Sequence, residues 1–148
     1  MEIEMRILVS AAVLMGLGGM GAGCDPGPAA SPAPKSALRK VQSNGGTYTV
    51  SFASTPDPIP LNAPFDLTFS VAPNAPGAPG ASGLDVEVDA RMPAHFHGMN
   101  RLPKLTRKSD GSFAAEGLLF HMPGHWELYF DVSQGGKTER AQVDVVLK

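Results

Sequence analysis

The 148-residue sequence has few of the groups on which most enzymatic chemistry depends. It contains one cysteine, Cys24, one tryptophan and four histidines. A single cysteine leaves no partner for an internal disulfide, a Cys-x-x-Cys redox pair or a thiolate zinc site. The sequence also lacks a Gly-x-Ser-x-Gly elbow, a His-Glu-x-x-His helix and a phosphate-binding glycine loop. These absences favour a binding protein over an enzyme.

The sequence also has little excess of one charge and few long apolar runs. From Cys24 onward the chain carries eleven basic and twelve acidic residues. A nearly neutral surface offers no electrostatic footprint for nucleic acid, so we expect no nucleic-acid partner. The run from Ile7 to Met20 is broken only by Ser10 and is too short for a membrane-spanning helix. Its length is typical of the core of a signal peptide.

The segment after this run predicts attachment to a membrane through lipid. Gly21-Ala22-Gly23-Cys24 resembles a bacterial lipobox, in which the cysteine is lipidated and becomes the mature N-terminus. We therefore expect residues 1–23 to be a lipoprotein signal peptide and Cys24 to carry acyl chains that anchor the protein. Residues 24–40 are rich in Pro, Ala, Gly and Ser and predict a tether. The alternative is a buried free cysteine or an ordinary secretory signal cleaved nearby.

The remaining residues, 41–148, predict one all-β domain. Apolar and polar residues alternate with a period of two, which is typical of strands with one buried face. The alternating segments are Tyr48–Phe52, Phe65–Val71, Leu84–Val88, Trp126–Val132 and Ala141–Leu147. Turn residues such as Asp110-Gly111 and Gly135-Gly136 separate the later segments. The pattern favours an immunoglobulin-like β-sandwich of about seven strands.

All four histidines, and every methionine beyond the predicted signal peptide, lie between Met92 and His125. They form two short runs, Met-Pro-Ala-His-Phe-His-Gly-Met and His-Met-Pro-Gly-His. Imidazole and thioether are the ligands that select copper, particularly Cu(I), over harder cations. The sequence therefore predicts a copper site, with candidate ligands His95, His97, Met99, His121, Met122 and His125.

The position of the runs beside predicted strand ends supports this prediction. Pro93 should end the strand that precedes it, and in an extended backbone His95, His97 and Met99 would then share one side. We expect these three residues to contribute more to the site than His121 and His125. The alternative is structural, because methionines before prolines can simply seal the end of a core and Trp126 is expected to pack inside it.

Two stretches carry a resemblance to a known family. Residues 92–100 and 111–128 resemble the YtkA-like domain, and the stretch from Phe120 to Trp126 is the most specific part. The resemblance covers roughly Asp85 to Val146. That family is a small immunoglobulin-like sandwich of bacterial envelope proteins, similar in architecture to CopC-like copper proteins and to FixH proteins of cytochrome oxidase assembly. It implies an envelope role and partners in copper handling or oxidase assembly.

Together these features predict a lipid-anchored envelope protein whose domain faces the periplasm or the exterior. It would bind copper through the His/Met cluster for storage, buffering or delivery. The alternative is a structural or interaction module that binds no metal and assists assembly of an envelope or respiratory complex.

Overall fold

The computed structural model describes residues 37–76 and 83–148. Within these ranges the chain forms nine β-strands and one 3-10 turn, and no α-helix. The elements are β1 (Arg39–Gln42), β2 (Tyr48–Thr55), β3 (Phe65–Pro73), β4 (Asp85–Met92), the 3-10 turn (Pro93–His95), β5 (His97–Gly98), β6 (Lys104–Arg107), β7 (Phe113–Leu118), β8 (Gly124–Gln134) and β9 (Lys137–Leu147). The described ranges hold no helix long and apolar enough to span a membrane. The predicted signal peptide, Cys24 and most of the predicted tether lie outside the described residues.

The strands form two antiparallel sheets. One sheet has the order β1-β2-β3-β7-β6 and the other has the order β5-β4-β8-β9. This arrangement reproduces the two sheets of an immunoglobulin constant domain. Strands β2-β3-β7-β6 correspond to its A-B-E-D sheet, and strands β4-β8-β9 correspond to its C-F-G sheet. Strands β1 and β5 are additional edge strands. The predicted all-β, immunoglobulin-like sandwich is confirmed.

Aromatic side chains join the two sheets across the core. Along β3 every second residue is buried, so that one face of the strand points inward. The Phe69 ring of β3 meets the Phe130 ring of β8 edge-on, with 5.0 Å between centroids. Phe52 of β2 lies 5.3 Å from the same Phe130 ring. Burial of each such ring contributes about 1.5–3 kcal/mol, so this contact between the sheets is a main source of stability.

Sequence and structure agree on the strands that have one buried face and differ elsewhere. The five alternating segments lie in β2, β3, β4, β8 and β9. The β8–β9 connection is the expected two-residue turn, and both Gly135 and Gly136 have positive φ. All four residues of β6 are exposed, so its sequence shows no alternation of apolar and polar residues. The sequence therefore indicated only the turn that follows β6. β1 begins at Arg39, ahead of the expected domain start at Val41.

The pairing of β4 with β8 decides where the two His/Met runs lie. The strands are antiparallel, and Arg91 near the end of β4 is opposite Glu127 near the start of β8. The chain that leaves β4 and the chain that enters β8 therefore meet at one end of the sandwich. We call this end the histidine end; it comprises residues 92–99 and 120–126.

Candidate metal centre

The fold brings His97 and His121 into contact. Their imidazole rings stack with 5.2 Å between centroids and an angle of 30° between planes. Twenty-three residues of chain separate them, so the contact depends on the pairing of β4 with β8 rather than on local sequence. The structure thus brings one histidine of each run together.

The backbone of the first run is not extended, contrary to the simplest reading of its sequence. Pro93 begins a 3-10 turn, a position that suits its fixed φ and its missing N–H. The turn ends at Phe96, which adopts a left-handed conformation with φ of 56°. His95 is consequently exposed on the turn, and its ring centroid is 5.8 Å from that of His97. His95 stays near the pair but lies on its solvent side.

His97 is held in one tautomer by the backbone. It forms the two-residue strand β5, pairs with Met92 of β4 and is half-buried. Its Nδ1 lies 3.1 Å from the carbonyl oxygen of Gly98. A carbonyl oxygen only accepts, so Nδ1 is the donor in this hydrogen bond. A backbone carbonyl that fixes the remote ring nitrogen in this way is typical of histidines that bind metal through the other nitrogen.

The Nδ1 atom of His121 has no hydrogen-bond partner. Among the described residues it is the one buried side-chain nitrogen or oxygen in this condition. Leaving a buried polar atom unpaired costs about 1–3 kcal/mol, and such atoms are rare in folded proteins. A neutral imidazole nitrogen can be satisfied by a metal ion as well as by a hydrogen. The histidine pair therefore fits the donor chemistry of a copper site at this position.

Trp126 closes the inner side of the pair. Its side chain has no exposed surface, as the sequence predicted. The indole stacks on Phe120 at 4.7 Å, and the His97 and His121 rings meet it edge-on at 5.9 and 5.5 Å. Its N–H donates to the carbonyl oxygen of Met122 at 2.9 Å, which fixes the indole and the loop together. The sequence indicated only a core role for this residue, although its position directly after the second run was a signal.

The three methionines near the pair divide into one buried and two accessible side chains. Met92 is 1% exposed and seals the end of the core, as one of the sequence alternatives proposed. Met99 and Met122 are half-buried and pack against the core. The Met99 N–H donates to the carbonyl oxygen of Ala90 at 3.2 Å, which keeps this residue at the histidine end. Met99 and Met122 are thus less deeply buried than Met92.

His125 does not join the cluster. Consecutive residues of a strand point to opposite faces, and while Trp126 faces the core, His125 faces outward. Its Nε2 lies 3.0 Å from Oδ1 of Asp144 on β9. The sequence placed His125 among the candidate ligands, whereas the strand direction separates it from His97 and His121.

Histidine, cysteine, aspartate and glutamate alone do not form a metal-ligand group in the described chain. Within residues 37–76 and 83–148, no group of three or more His, Cys, Asp and Glu side chains is placed to hold a metal ion. Neither His97 nor His121 pairs with a carboxylate in the described chain. Within the described residues, the candidate donors at the histidine end are therefore imidazole and thioether groups.

Comparison with known proteins adds no assignment, because no protein-family model, curated protein or solved structure matches this chain.

Proposed function

We propose that this protein binds a copper ion as Cu(I) through His97, His121 and the thioethers of Met99 and Met122, and that it stores, buffers or passes on the ion. The observation that carries the proposal is the buried, unpartnered Nδ1 of His121, whose ring stacks against His97, a second histidine that contacts a backbone carbonyl through its own Nδ1. Met99 and Met122, which are half-buried and close in sequence to the two histidines, would supply the soft donors that select Cu(I).

The same donors suit an ion that must be released again. Thioether and imidazole are neutral and, unlike thiolates, are not lost to disulfides in an oxidising compartment. His95 is exposed and near the pair, so a metal arriving from solvent or from another protein first meets an imidazole. We therefore propose delivery or buffering within the bacterial envelope, with copper-handling or oxidase-assembly proteins as partners.

The copper proposal is tested by anaerobic titration of the purified full-length protein with Cu(I), in competition with a chromophoric Cu(I) chelator. His97→Ala together with His121→Ala should weaken Cu(I) binding about 1000-fold, more than the 10- to 100-fold cost of losing an outer-shell partner. His125→Ala is the matched control, since it removes an imidazole from the outer face of the same sheet. Equal affinity of the wild type and the double variant would refute the proposal.

The envelope location rests on Cys24 and on the YtkA-like resemblance, both of which stay predictions. Cys24→Ser should move the protein from the membrane fraction to the soluble envelope fraction, because the acyl chains rather than surface charge provide attachment. Cell fractionation and the intact mass of the mature protein measure this. A wild-type protein that lacks acyl mass and is already soluble would contradict the lipid anchor.

One observation favours the interaction module as a second candidate. Phe96 is 89% exposed and left-handed, an unfavourable state for a large apolar residue. It borders a surface cavity of about 200 Å³ that is also lined by Pro93, Glu127 and Tyr129. An exposed aromatic beside a cavity suits a protein contact. A domain without Cu(I) affinity whose assembly role is abolished by Phe96→Ala would support this candidate.

A further inference from the structure

One edge of β4 leaves main-chain groups open to another strand. On this side β5 covers only the last two residues of β4, while β8 pairs along the other side. The Met99 N–H donates to the carbonyl oxygen of Ala90, so the Ala90 carbonyl points to the β5 side. Main-chain groups two residues apart in a strand point the same way, so those of Val88 and Val86 point to this side as well. Among the described residues, no strand lies there to pair with them.

A cavity runs along this open edge, and we call it the β4 slot. It has a volume of about 290 Å³ and is lined by β4 residues from Val86 to Asp89 and, on the other side, by Leu102, Pro103 and Leu105. Leu102 is 85% exposed, and Leu105 is exposed as well, although both are large and apolar. Exposed apolar side chains beside open main-chain groups suit the binding of an extended segment by strand addition.

The outer face of the same edge is acidic. Asp85, Glu87 and Asp89 alternate along β4 and point away from the core. On the neighbouring strand, Asp131 lies opposite Glu87, but it is already bound by both arms of the Arg140 guanidinium. The three β4 carboxylates form no ion pair within the described residues. Charge on an exposed edge blocks indiscriminate pairing, and the sign of this charge admits a basic segment.

From this geometry we propose that the β4 edge is a docking site for an extended segment of another protein in which basic and apolar residues alternate. Its main chain pairs with Val86 and Val88, its basic side chains lie beside the β4 carboxylates, and its apolar side chains enter the β4 slot. A second copy of this chain fits less well, because β4 against β4 places carboxylates beside carboxylates. The surface is separate from the candidate copper ligands, so the proposal does not depend on metal binding.

The first test titrates a fluorescently labelled peptide of four Lys-Val repeats with the full-length protein and follows the anisotropy. The peptide should bind with one-to-one stoichiometry. A peptide of four Glu-Val repeats reverses the charge, and the Lys-Val peptide N-methylated at every residue keeps the charge but loses the N–H groups that a strand must donate. Both control peptides should bind at least about tenfold more weakly, since each lacks one of the two interactions. No binding of the Lys-Val peptide, or equal binding of its N-methylated form, would overturn strand addition.

The second test places the docking site on β4. Glu87→Lys puts a like charge beside the lysines of the peptide and should weaken its binding about tenfold. Asp144→Lys is the matched control, because this residue is exposed on the outer face of the same sheet but lies on β9, two strands from the open edge. It changes the net charge equally and should alter the affinity less than about twofold.

Two outcomes of the second test would contradict the proposal. Equal weakening in Glu87→Lys and Asp144→Lys would show that the peptide responds only to overall charge. Sedimentation analysis of the wild type checks the remaining occupant. A dimer that Glu87→Lys dissociates, in a protein that does not bind the Lys-Val peptide, would assign the β4 edge to a second copy of the chain instead.

Discussion

The two ends of the sandwich treat a buried polar group differently. At the end that holds the β8–β9 turn, the buried carboxylate of Glu139 is fully hydrogen-bonded. Its donors are the Ser43 hydroxyl, the Thr47 hydroxyl and N–H, and the Lys137 ammonium. At the histidine end, the buried Nδ1 of His121 has no partner. Both groups lie where loops from the two sheets meet. The first is satisfied within the chain and ties the loop between β1 and β2 to β9, whereas the second has no partner among the described residues.

The glutamate end is shaped to hold its carboxylate. Gly45 lies against Glu139, and a Cβ at this position would overlap the carboxylate group. The hydroxyls of Thr47 and Ser43, followed by Lys137, lower the pKa of Glu139 from its usual 4.5 to about 2. No comparable set of donors surrounds His121. The glutamate end thus serves stability, and the contrast with His121 supports the proposal that the histidine end binds a ligand.

The largest effect on stability is expected from Trp126→Ala at the histidine end. Removal of a fully buried aromatic from a core costs about 3–5 kcal/mol of unfolding free energy. Denaturant unfolding measures this cost. His125→Ala, one residue earlier and facing outward, should change the unfolding free energy by less than about 0.5 kcal/mol. A cost under about 1 kcal/mol for Trp126→Ala would mean that this ring does not close the core.

Stability at the glutamate end should depend on pH. Because the folded-state pKa of Glu139 is about 2 and lies below the unfolded value near 4.5, its contribution is fully present above pH 4.5 and is lost as the pH falls towards 2. Thermal unfolding of the wild type should therefore show a melting temperature that declines across this interval. Glu139→Gln should lower the melting temperature at pH 7 and flatten the decline below pH 4.5. A decline equally steep in the variant would assign the acid sensitivity to other carboxylates.

Much of the fold could be predicted from sequence, because strands with one buried face record that face as an alternation. The segment Phe65–Val71 is such a case, and it became β3. β6 could not be found in this way, since both of its faces are exposed and its pairing with β7 depends on tertiary contacts. The roles of Ser43, Thr47 and Glu139 were equally hidden, because 92 residues or more separate the donors from the acceptor.

The candidate site was predictable as a set of residues but not as a geometry. Clustering of histidine and methionine in two runs identified the candidate residues, and the structure brings His97 and His121 together. It gave no means of excluding His125, since the face of a strand on which a residue lies depends on register. It also could not anticipate the 3-10 turn after Pro93, which puts His95 on the solvent side. Composition specified the donors, and register and turn geometry selected among them.

The variant with the smallest predicted effect on stability allows the most direct comparison of the histidine end with the glutamate end. His121→Phe retains a ring next to His97 and Trp126 but removes the unpartnered nitrogen, so the unfolding free energy of the metal-free protein should stay equal or rise by up to about 1 kcal/mol. Glu139→Gln should instead lower the unfolding free energy, because the chain itself supplies hydrogen-bond donors to the Glu139 carboxylate. Denaturant unfolding in the presence of a chelator measures both variants under one condition.

The same His121→Phe variant should lose Cu(I) binding while its stability is maintained. Stability and binding would then be separated in one side chain, since the substitution keeps the packing of the ring and removes only its nitrogen atoms. His125→Phe serves as the control, because it places the same ring on the outer face and should leave Cu(I) affinity unchanged. A loss of more than about 1 kcal/mol in His121→Phe would show instead that His121 is satisfied in solution, as Glu139 is, and that the two ends are alike.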